Sequence, residues 1–459
     1  MLKGMVQNMN LAEKKFLVAG LGKSGIGAAN LLLKTGADVT LYDSNEKLTL
    51  EDIKDKLIRN EGVSLVTGEL SEQVIQNTDI MVLSPGIAID APFVNEVRAH
   101  QIPIWGEVEL AYVCAKGRIA GITGTNGKTT TTALVGEIFA NYYQSSFVVG
   151  NIGIPYTSVA LDTKEDSVTV AEISSFQLET VNTFHPCVSA ILNITPDHLN
   201  RHYTMDNYAN VKFKITMNQD ESDVCVLNYE DDIIKEKAKD VKAKILWFSS
   251  ARKLQNGIYL KDGDIILAEN GKEQVLMNVS QMQLVGIHNA ENVMAAIGIA
   301  KSMGVSMDII LDTVKHFKAV EHRIEYVKTV NGVMYYNDSK GTNTDASIKA
   351  IEAMSKPTVL IAGGYDKGSE YDEWFDAFQG KIKALVLLGK TKDKIAQTAK
   401  RKNYQAVYEV NTLEEAVKEA AKLAKDGEVV LLSPACASWD MFKSYEERGR
   451  LFKEYVRNL

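Results

Sequence analysis

Arg118-Ile-Ala-Gly-Ile-Thr-Gly-Thr-Asn-Gly-Lys-Thr-Thr-Thr-Thr132 reads as a short apolar strand, a glycine-rich turn and the start of a helix. A turn of this composition exposes several backbone N–H groups, which can cradle phosphates. Lys128 would offset the charge of the β- and γ-phosphates, and Thr129 would offer a hydroxyl to Mg²⁺. A standard Walker A loop needs glycine where Ile122 stands, so the shorter form GTNGKTT takes its place. The bland reading is a Gly/Thr-rich turn with no ligand.

The same order, an apolar run, then glycines, then a helix-like segment, returns at Phe16–Gly27 and Thr358–Gly368. Apolar runs at Ala384–Gly389 and Glu428–Ser433 also end in small or polar residues. Short continuous apolar runs suit strands buried on both faces, and their alternation with helices predicts an α/β protein. At ~150 residues per domain, 459 residues suggest three domains, each around a mainly parallel sheet. Boundaries are expected near Ile104–Glu109 and Ala319–Arg323, giving 1–106, 107–319 and 320–459.

Composition narrows the class further. Hydrophobic residues make up 45% and charged residues 24%, which excludes a disordered, collagen-like or coiled-coil chain. With 51 basic against 59 acidic side chains the net charge is −8, so no bulk grip on nucleic acid or anionic lipid is expected. The opening MLKGMVQNMN lacks an apolar signal-peptide core, and no apolar run approaches the ~18 residues of a membrane span. Cys114, Cys187, Cys225 and Cys436 are scattered without a CxxC, which argues against a zinc site or disulfides and fits a reducing cytoplasm.

A second glycine loop, Gly20-Leu-Gly22-Lys-Ser-Gly25, follows the strand Phe16–Ala19 and leads into a helix, Ile26–Lys34. Asp43 ends the next strand, which completes a dinucleotide fingerprint. NAD, another diphosphate such as a nucleotide sugar, or a tight turn without a ligand all remain open on these residues. Ser84-Pro85-Gly86 follows the strand Ile80–Leu83 and is either a second wall of that pocket or a plain turn.

Three residues downstream of the phosphate loop could complete a site. Glu172 follows the strand Ser167–Ala171, where a carboxylate can ligate Mg²⁺ or simply be solvated. His198 follows the apolar run Val188–Ile194, where a structural histidine is as common as a functional one. Lys212, in Tyr208-Ala-Asn-Val-Lys, is by pattern an ordinary helix lysine.

Taken together, GTNGKTT (124–130), EISSFQLE (172–179), NITPDHLNRH (193–202), HNAEN (288–292), EHRIE (321–325) and NDSKGTN (337–343) resemble the motifs of the Mur ligase family, in family order and across the whole chain. Ser433-Pro-Ala-Cys-Ala-Ser-Trp-Asp-Met-Phe442 resembles the C-terminal signature of the member that adds D-glutamate, and the DNPR motif of the diamino-acid-adding members is absent.

The resemblance implies Rossmann-like, P-loop mononucleotide-binding and Rossmann-like domains in that order. It implies ATP-dependent, ADP-forming ligation of D-glutamate to UDP-N-acetylmuramoyl-L-alanine through an acyl phosphate, in the cytoplasm, by a monomer using Mg²⁺. By the same resemblance, UDP replaces NAD at the first loop, and Ser24, Asp43, Ser84, Gly86, Asn151 and His198 bind the UDP substrate. Gly124, Thr125, Asn126, Gly127, Lys128, Thr129 and Thr130 hold ATP phosphates, and Asn292, Arg323 and Asp338 meet its adenosine. Thr129, Glu172, His198 and Lys212 carry metal, the lysine after carbamylation by CO₂, and Lys340 lies near the transferred phosphate. Lys128, Glu172, His198, Lys212 and Lys340 form the catalytic set, and Thr342, Lys367, Ser438 and Tyr445 receive D-glutamate. The rival readings are a Mur-type ligase for another amino acid, an NAD-dependent oxidoreductase, and a nucleotide switch without chemistry.

Overall fold

The computed structural model describes residues 10–151, 154–366 and 368–459. Three sheets run in sequence order. The first is built from β1 (Lys15–Ala19), β2 (Asp38–Asp43), β3 (Val63–Thr67), β4 (Ile80–Leu83) and β5 (Ile104–Gly106), ordered 3-2-1-4-5 with every pair parallel. The helix Lys23–Thr35 crosses over between β1 and β2. It stops at Gly36, whose φ of 83° lets its N–H reach back to the carbonyls of Leu32 and Leu33.

The second sheet has nine strands: β6 (Arg118–Thr123), β7 (Ser146–Gly150), β8 (Val168–Glu172), β9 (Val188–Ile191), β10 (Val224–Asn228), β11 (Lys244–Ser249), β12 (Gly257–Lys261), β13 (Asp264–Glu269) and β14 (Lys272–Asn278). Its order is 14-13-12-11-10-9-6-8-7. The third holds β15 (Glu325–Val330), β16 (Val333–Asn337), β17 (Thr358–Ala362), β18 (Ile382–Leu387), β19 (Val407–Glu409) and β20 (Val429–Leu432), ordered 15-16-20-17-18-19. Along β17, Val359 and Ile361 join one apolar cluster while Leu360 and Ala362 join the other, so this strand is buried on both faces as its unbroken apolar run predicts.

Mainly parallel α/β sheets are therefore what the chain forms, with an addition that apolar runs do not reveal. β12 pairs with β13, and β15 with β16, antiparallel. Two-residue turns make these hairpins: Asp262-Gly263 at φ 51° and 84°, and Asn331-Gly332 at φ 48° and 77°. Asn270-Gly271, at φ 53° and 76°, joins β13 to β14 in the same way. Positive φ at both central residues matches the right-handed twist of the flanking strands.

Contacts divide the chain into two compact units. One comprises residues up to Met277 together with Glu291–Val314; the other comprises Asn278–Ala290 with Lys315–Leu459. The first and second sheets belong to the first unit and share a continuous core that includes Trp105, Val108, Tyr112, Phe184 and Ile191. Among the described residues, no helix is long and apolar enough to cross a membrane.

Candidate active site

β6 lies between β8 and β9, so three loops leave neighbouring strand ends: Gly124–Gly127, Ile173–Ser174 and Leu192–His198. A parallel sheet opens its crevice at such a point. β9 ends at Ile191, sooner than the apolar run suggests, because Asn193 turns to the phosphate loop. Asn126 N–H donates to Asn193 Oδ1 (2.8 Å), Asn193 Nδ2 donates to Asn126 O (3.1 Å), and Thr125 N–H donates to Asn193 O (2.9 Å). Gly127 sits at φ 84°, and a Cβ there would lie 2.2 Å from Asn292 Oδ1, so only glycine fits.

Lys128 opens the helix Lys128–Tyr142, and its Nζ donates to Gly124 O (2.8 Å) and Thr125 O (2.7 Å). Thr129 and Thr130 are buried in the first turn. Lys212, 1% exposed, donates to the same Gly124 O (2.7 Å) and lies over the Tyr208 ring at 4.5 Å. Burial, and then the charge of Lys128, hold its ammonium well below the usual lysine range. A neutral, desolvated amine is a nucleophile, and CO₂ is an electrophile it can capture.

These groups face a cavity of about 290 Å³ lined by Pro85, Gly86, Thr125, Lys128, Asn151, Ser174, Ser175, Phe176, Asp197, His198, Tyr208 and Lys212. The turn after β4 thus meets the phosphate loop across one space. His198, in a left-handed conformation (φ 53°), packs its ring on Phe176 at 4.8 Å. Glu172 is 1% exposed; Asn151 Nδ2 donates to its Oε1 (2.8 Å), and its Oε2 has no hydrogen-bond partner among the described residues. A buried carboxylate oxygen left in this way fits a cation, and Thr129 would add an oxygen donor of the kind Mg²⁺ prefers.

Behind this cavity lies the first glycine loop. Ser84 Oγ donates to Gly20 O (2.6 Å), and a Cβ on Gly25 would lie 1.9 Å from the same oxygen. Asp43 accepts from Leu21 N–H (3.2 Å) and Asn45 N–H (3.0 Å). Ser24, half-buried, stands in the first turn of the helix Lys23–Thr35. Asn292, in the helix Ile287–Ser302, packs against Gly127.

The second unit gathers another set of expected residues. Asp338 is buried; its Oδ2 accepts from Ser433 Oγ (2.7 Å) and its Oδ1 from Ile324 N–H (3.3 Å). Burial raises its carboxyl to about 7, against the pull of the Ser433 hydrogen bond and the Arg323 charge. Lys340 lies over the Tyr445 ring at 5.1 Å. Thr342 is half-buried, and Ser438, buried, accepts Met441 and Phe442 N–H at its carbonyl. Lys367 lies outside the described residues. Glu321, His322 and Glu325 bring three donor atoms within 4.8 Å of one another. Lys453 Nζ already bonds both carboxylates, at 2.5 and 3.0 Å, so a cation is in place.

Phe176, Asp197 and Tyr208 line the cavity without being expected from the sequence. Tyr208 carries a signal that could have found it: it stands four residues before Lys212, on the same helix face.

Loop, sheets and cavity define a nucleotide-phosphate-binding α/β protein. Residues 14–106 match "Mur ligase MurD-like, N-terminal domain", 122–300 match "Mur ligase middle domain", and 322–436 match "Mur ligase, glutamate ligase domain". The chain belongs to the Mur ligase family. It is 56% identical to the UDP-N-acetylmuramoylalanine–D-glutamate ligase of Lachnoclostridium phytofermentans, over 98% of this chain and 99% of that one. With the enzyme of the same name from Lachnospira eligens it shares 55% identity, over 98% and 100%. Among solved structures, UDP-N-acetylmuramate-alanine ligase MurC of Thermotoga maritima has the same fold, with a TM-score of 0.60, 19% identity and 97% and 100% coverage. MurF ligase of Thermotoga maritima, in complex with ADP, aligns with a TM-score of 0.59, 17% identity and 98% and 99% coverage.

Proposed function

We propose that this chain joins D-glutamate to the alanine carboxyl group of UDP-N-acetylmuramoyl-L-alanine while ATP becomes ADP and phosphate. The observation that carries the reading is the shared cavity, where the Pro85-Gly86 turn faces Lys128, Asn151, His198 and Lys212. The names of the two relatives above point the same way.

A carboxylate is a poor acylating agent near neutral pH. Transfer of the γ-phosphoryl group to the alanine carboxylate gives an acyl phosphate and ADP. The D-glutamate amine then attacks the acyl carbon, a C–N bond forms, phosphate leaves with the C–O bonding pair, and the proton the amine loses ends on the phosphate. The protein's task is positioning and charge compensation. Gly124, Thr125, Asn126, Gly127 and Thr130 would hold the phosphates with Lys128, whose ammonium now rests on loop carbonyls. Ser24, Asp43, Ser84, Gly86, Asn151 and His198 would hold the UDP substrate.

Thr129 and Glu172 would hold one Mg²⁺, and His198 with Lys212 a second; when bound, the ions would offset the charge that gathers on the phosphates. Lys212 can serve only after its neutral amine attacks CO₂, forming an N–C bond and losing a proton to leave a carbamate anion. Asn292, Arg323 and Asp338 would meet adenosine, and Lys340 the transferred phosphate. Thr342, Lys367, Ser438 and Tyr445 would receive D-glutamate. Segments 1–106, 107–319 and 320–459 would then divide the work into UDP docking, ATP chemistry and amino-acid delivery. The reading includes a monomer acting in the cytoplasm, in keeping with four free cysteines.

ADP release measured against a panel of amino acids tests it. Release is expected only when UDP-N-acetylmuramoyl-L-alanine and D-glutamate are both present. Release with either absent, or with another amino acid preferred, would overturn the assignment.

A further inference from the structure

Arg201 takes no part in the chemistry above, yet it ties together the two sides of the cavity. Its side chain is 12% exposed and that of Glu179 is 7% exposed. Arg201 Nε donates to Glu179 Oε1 (3.2 Å), and one terminal nitrogen donates both to Glu179 Oε2 (2.5 Å) and to Ile87 O (2.7 Å). The guanidinium also lies over the Phe176 ring at 4.5 Å, and the rings of His198 and His202 pack on the same ring at 4.8 and 5.6 Å.

Each of these contacts reaches a cavity wall. Ile87 closes the turn that begins at Ser84, through its N–H to Ser84 O (3.0 Å), and that turn carries Pro85 and Gly86. Ile87 also presses on the first glycine loop: a Cβ at Gly20 would lie 2.7 Å from Ile87 Cδ1. Glu179 follows the short helix Ser175–Leu178, which grows from the Glu172 strand end. Its backbone carbonyl is held by Lys214 Nζ (2.9 Å). At the outer rim a second bridge repeats the link, Tyr203 OH donating to Asp90 Oδ2 (2.6 Å).

We infer that Arg201 is a positioning residue that sets the distance between the turn after β4 and the wall carrying Glu172, Phe176 and His198. It thereby places the acceptor's carboxylate against the phosphate loop. A planar fork is what the task requires, because three acceptors in fixed directions must be met at once; a lysine ammonium cannot hold that geometry. The inference rests on the ligase reading. It adds that an acceptor spanning both walls depends on the clamp, whereas ATP and the amino acid do not.

Steady-state kinetics of Arg201→Lys and Tyr203→Phe, with each substrate varied in turn, test this. For Arg201→Lys the KM for UDP-N-acetylmuramoyl-L-alanine is expected to rise about tenfold and kcat to fall, with the KM values for ATP and D-glutamate within about twofold of the parent. Tyr203→Phe, at an exposed ring, is expected to raise the same KM alone by about two- to threefold. Urea unfolding midpoints separate lost packing from lost positioning, and Tyr203→Phe alone decides between the outcomes if Arg201→Lys fails to fold. An unchanged acceptor KM, or a common rise of all three, would overturn the inference. If the parent itself forms no product from these substrates, the ligase reading fails instead.

Discussion

Lys212 is an amine with almost no water around it, next to a second cation. Nothing in Tyr208-Ala-Asn-Val-Lys announces this, because burial comes from the cavity wall and not from the helix pattern. Glu172 was legible only as an alternative between ligand and solvated loop; burial and its unpartnered oxygen favour the ligand. The glycine loop was legible outright, since its φ values and close contacts demand those residues. If Lys212 works as a carbamate, enzyme stripped of CO₂ and bicarbonate will lose activity and regain it on adding bicarbonate. Full turnover without either would sink the idea. Asp338 offers a second test at this scale. Its folded carboxyl titrates at about 7 against an ordinary 3.8, so between these values the folded state binds more protons than the unfolded one. The stability it contributes is fully present below the ordinary value and is lost as pH rises towards the folded one. Between about pH 5 and 7.5, the urea midpoint of the parent should therefore fall relative to that of Asp338→Asn.

At the level of elements, β1, β2, β4, β6, β8, β9, β17, β18 and β20 were read from apolar runs, while β3, β7, β10, β11, β19 and the hairpins were not. Asp262-Gly263, Asn270-Gly271 and Asn331-Gly332 are strong turn signals, and Ile265–Ala268 and Val333–Tyr336 are apolar runs beside them, but an apolar run does not tell an antiparallel strand from a parallel one. Glu109 shows how one element is fastened to another. This side chain, 0% exposed in the helix Glu107–Cys114, accepts four donors from the segment before β9. They are Asn182 N–H (2.8 Å), Thr183 N–H (2.7 Å), Thr183 Oγ1 (2.5 Å) and Phe184 N–H (3.1 Å). Glu109→Ala would strand the buried Phe184 N–H, worth roughly 1–3 kcal/mol without a partner, while the Asn182 and Thr183 N–H groups lie nearer water. A loss of about 2 kcal/mol in the urea unfolding free energy is expected; a loss below about 0.5 kcal/mol would contradict this account.

For the whole molecule, length and repeated strand–glycine–helix units were enough to anticipate three sheets. They gave no hint that the chain enters the second unit at Asn278, leaves it at Glu291 and returns at Lys315. Such exchange depends on long-range contacts that no local pattern records. The visiting segment matters to its host: Val285 packs on the cluster that holds Ala350, Ile351 and Trp374, and a Cβ on Gly286 would lie 2.7 Å from that of Ala353. A fragment spanning residues 278–459 should therefore unfold at higher urea than one spanning 315–459. Equal midpoints would show that the segment adds nothing.

That exchange also orders events on the ribosome. Residues 278–290 emerge before the sheet they pack on has been made, and the first unit waits for residues 291–314 before its own packing is complete. The first unit therefore cannot finish as soon as its own sheets are translated. The nascent chain must carry Val285 exposed until at least β17 has left the exit tunnel, and during that interval it is open to chaperones.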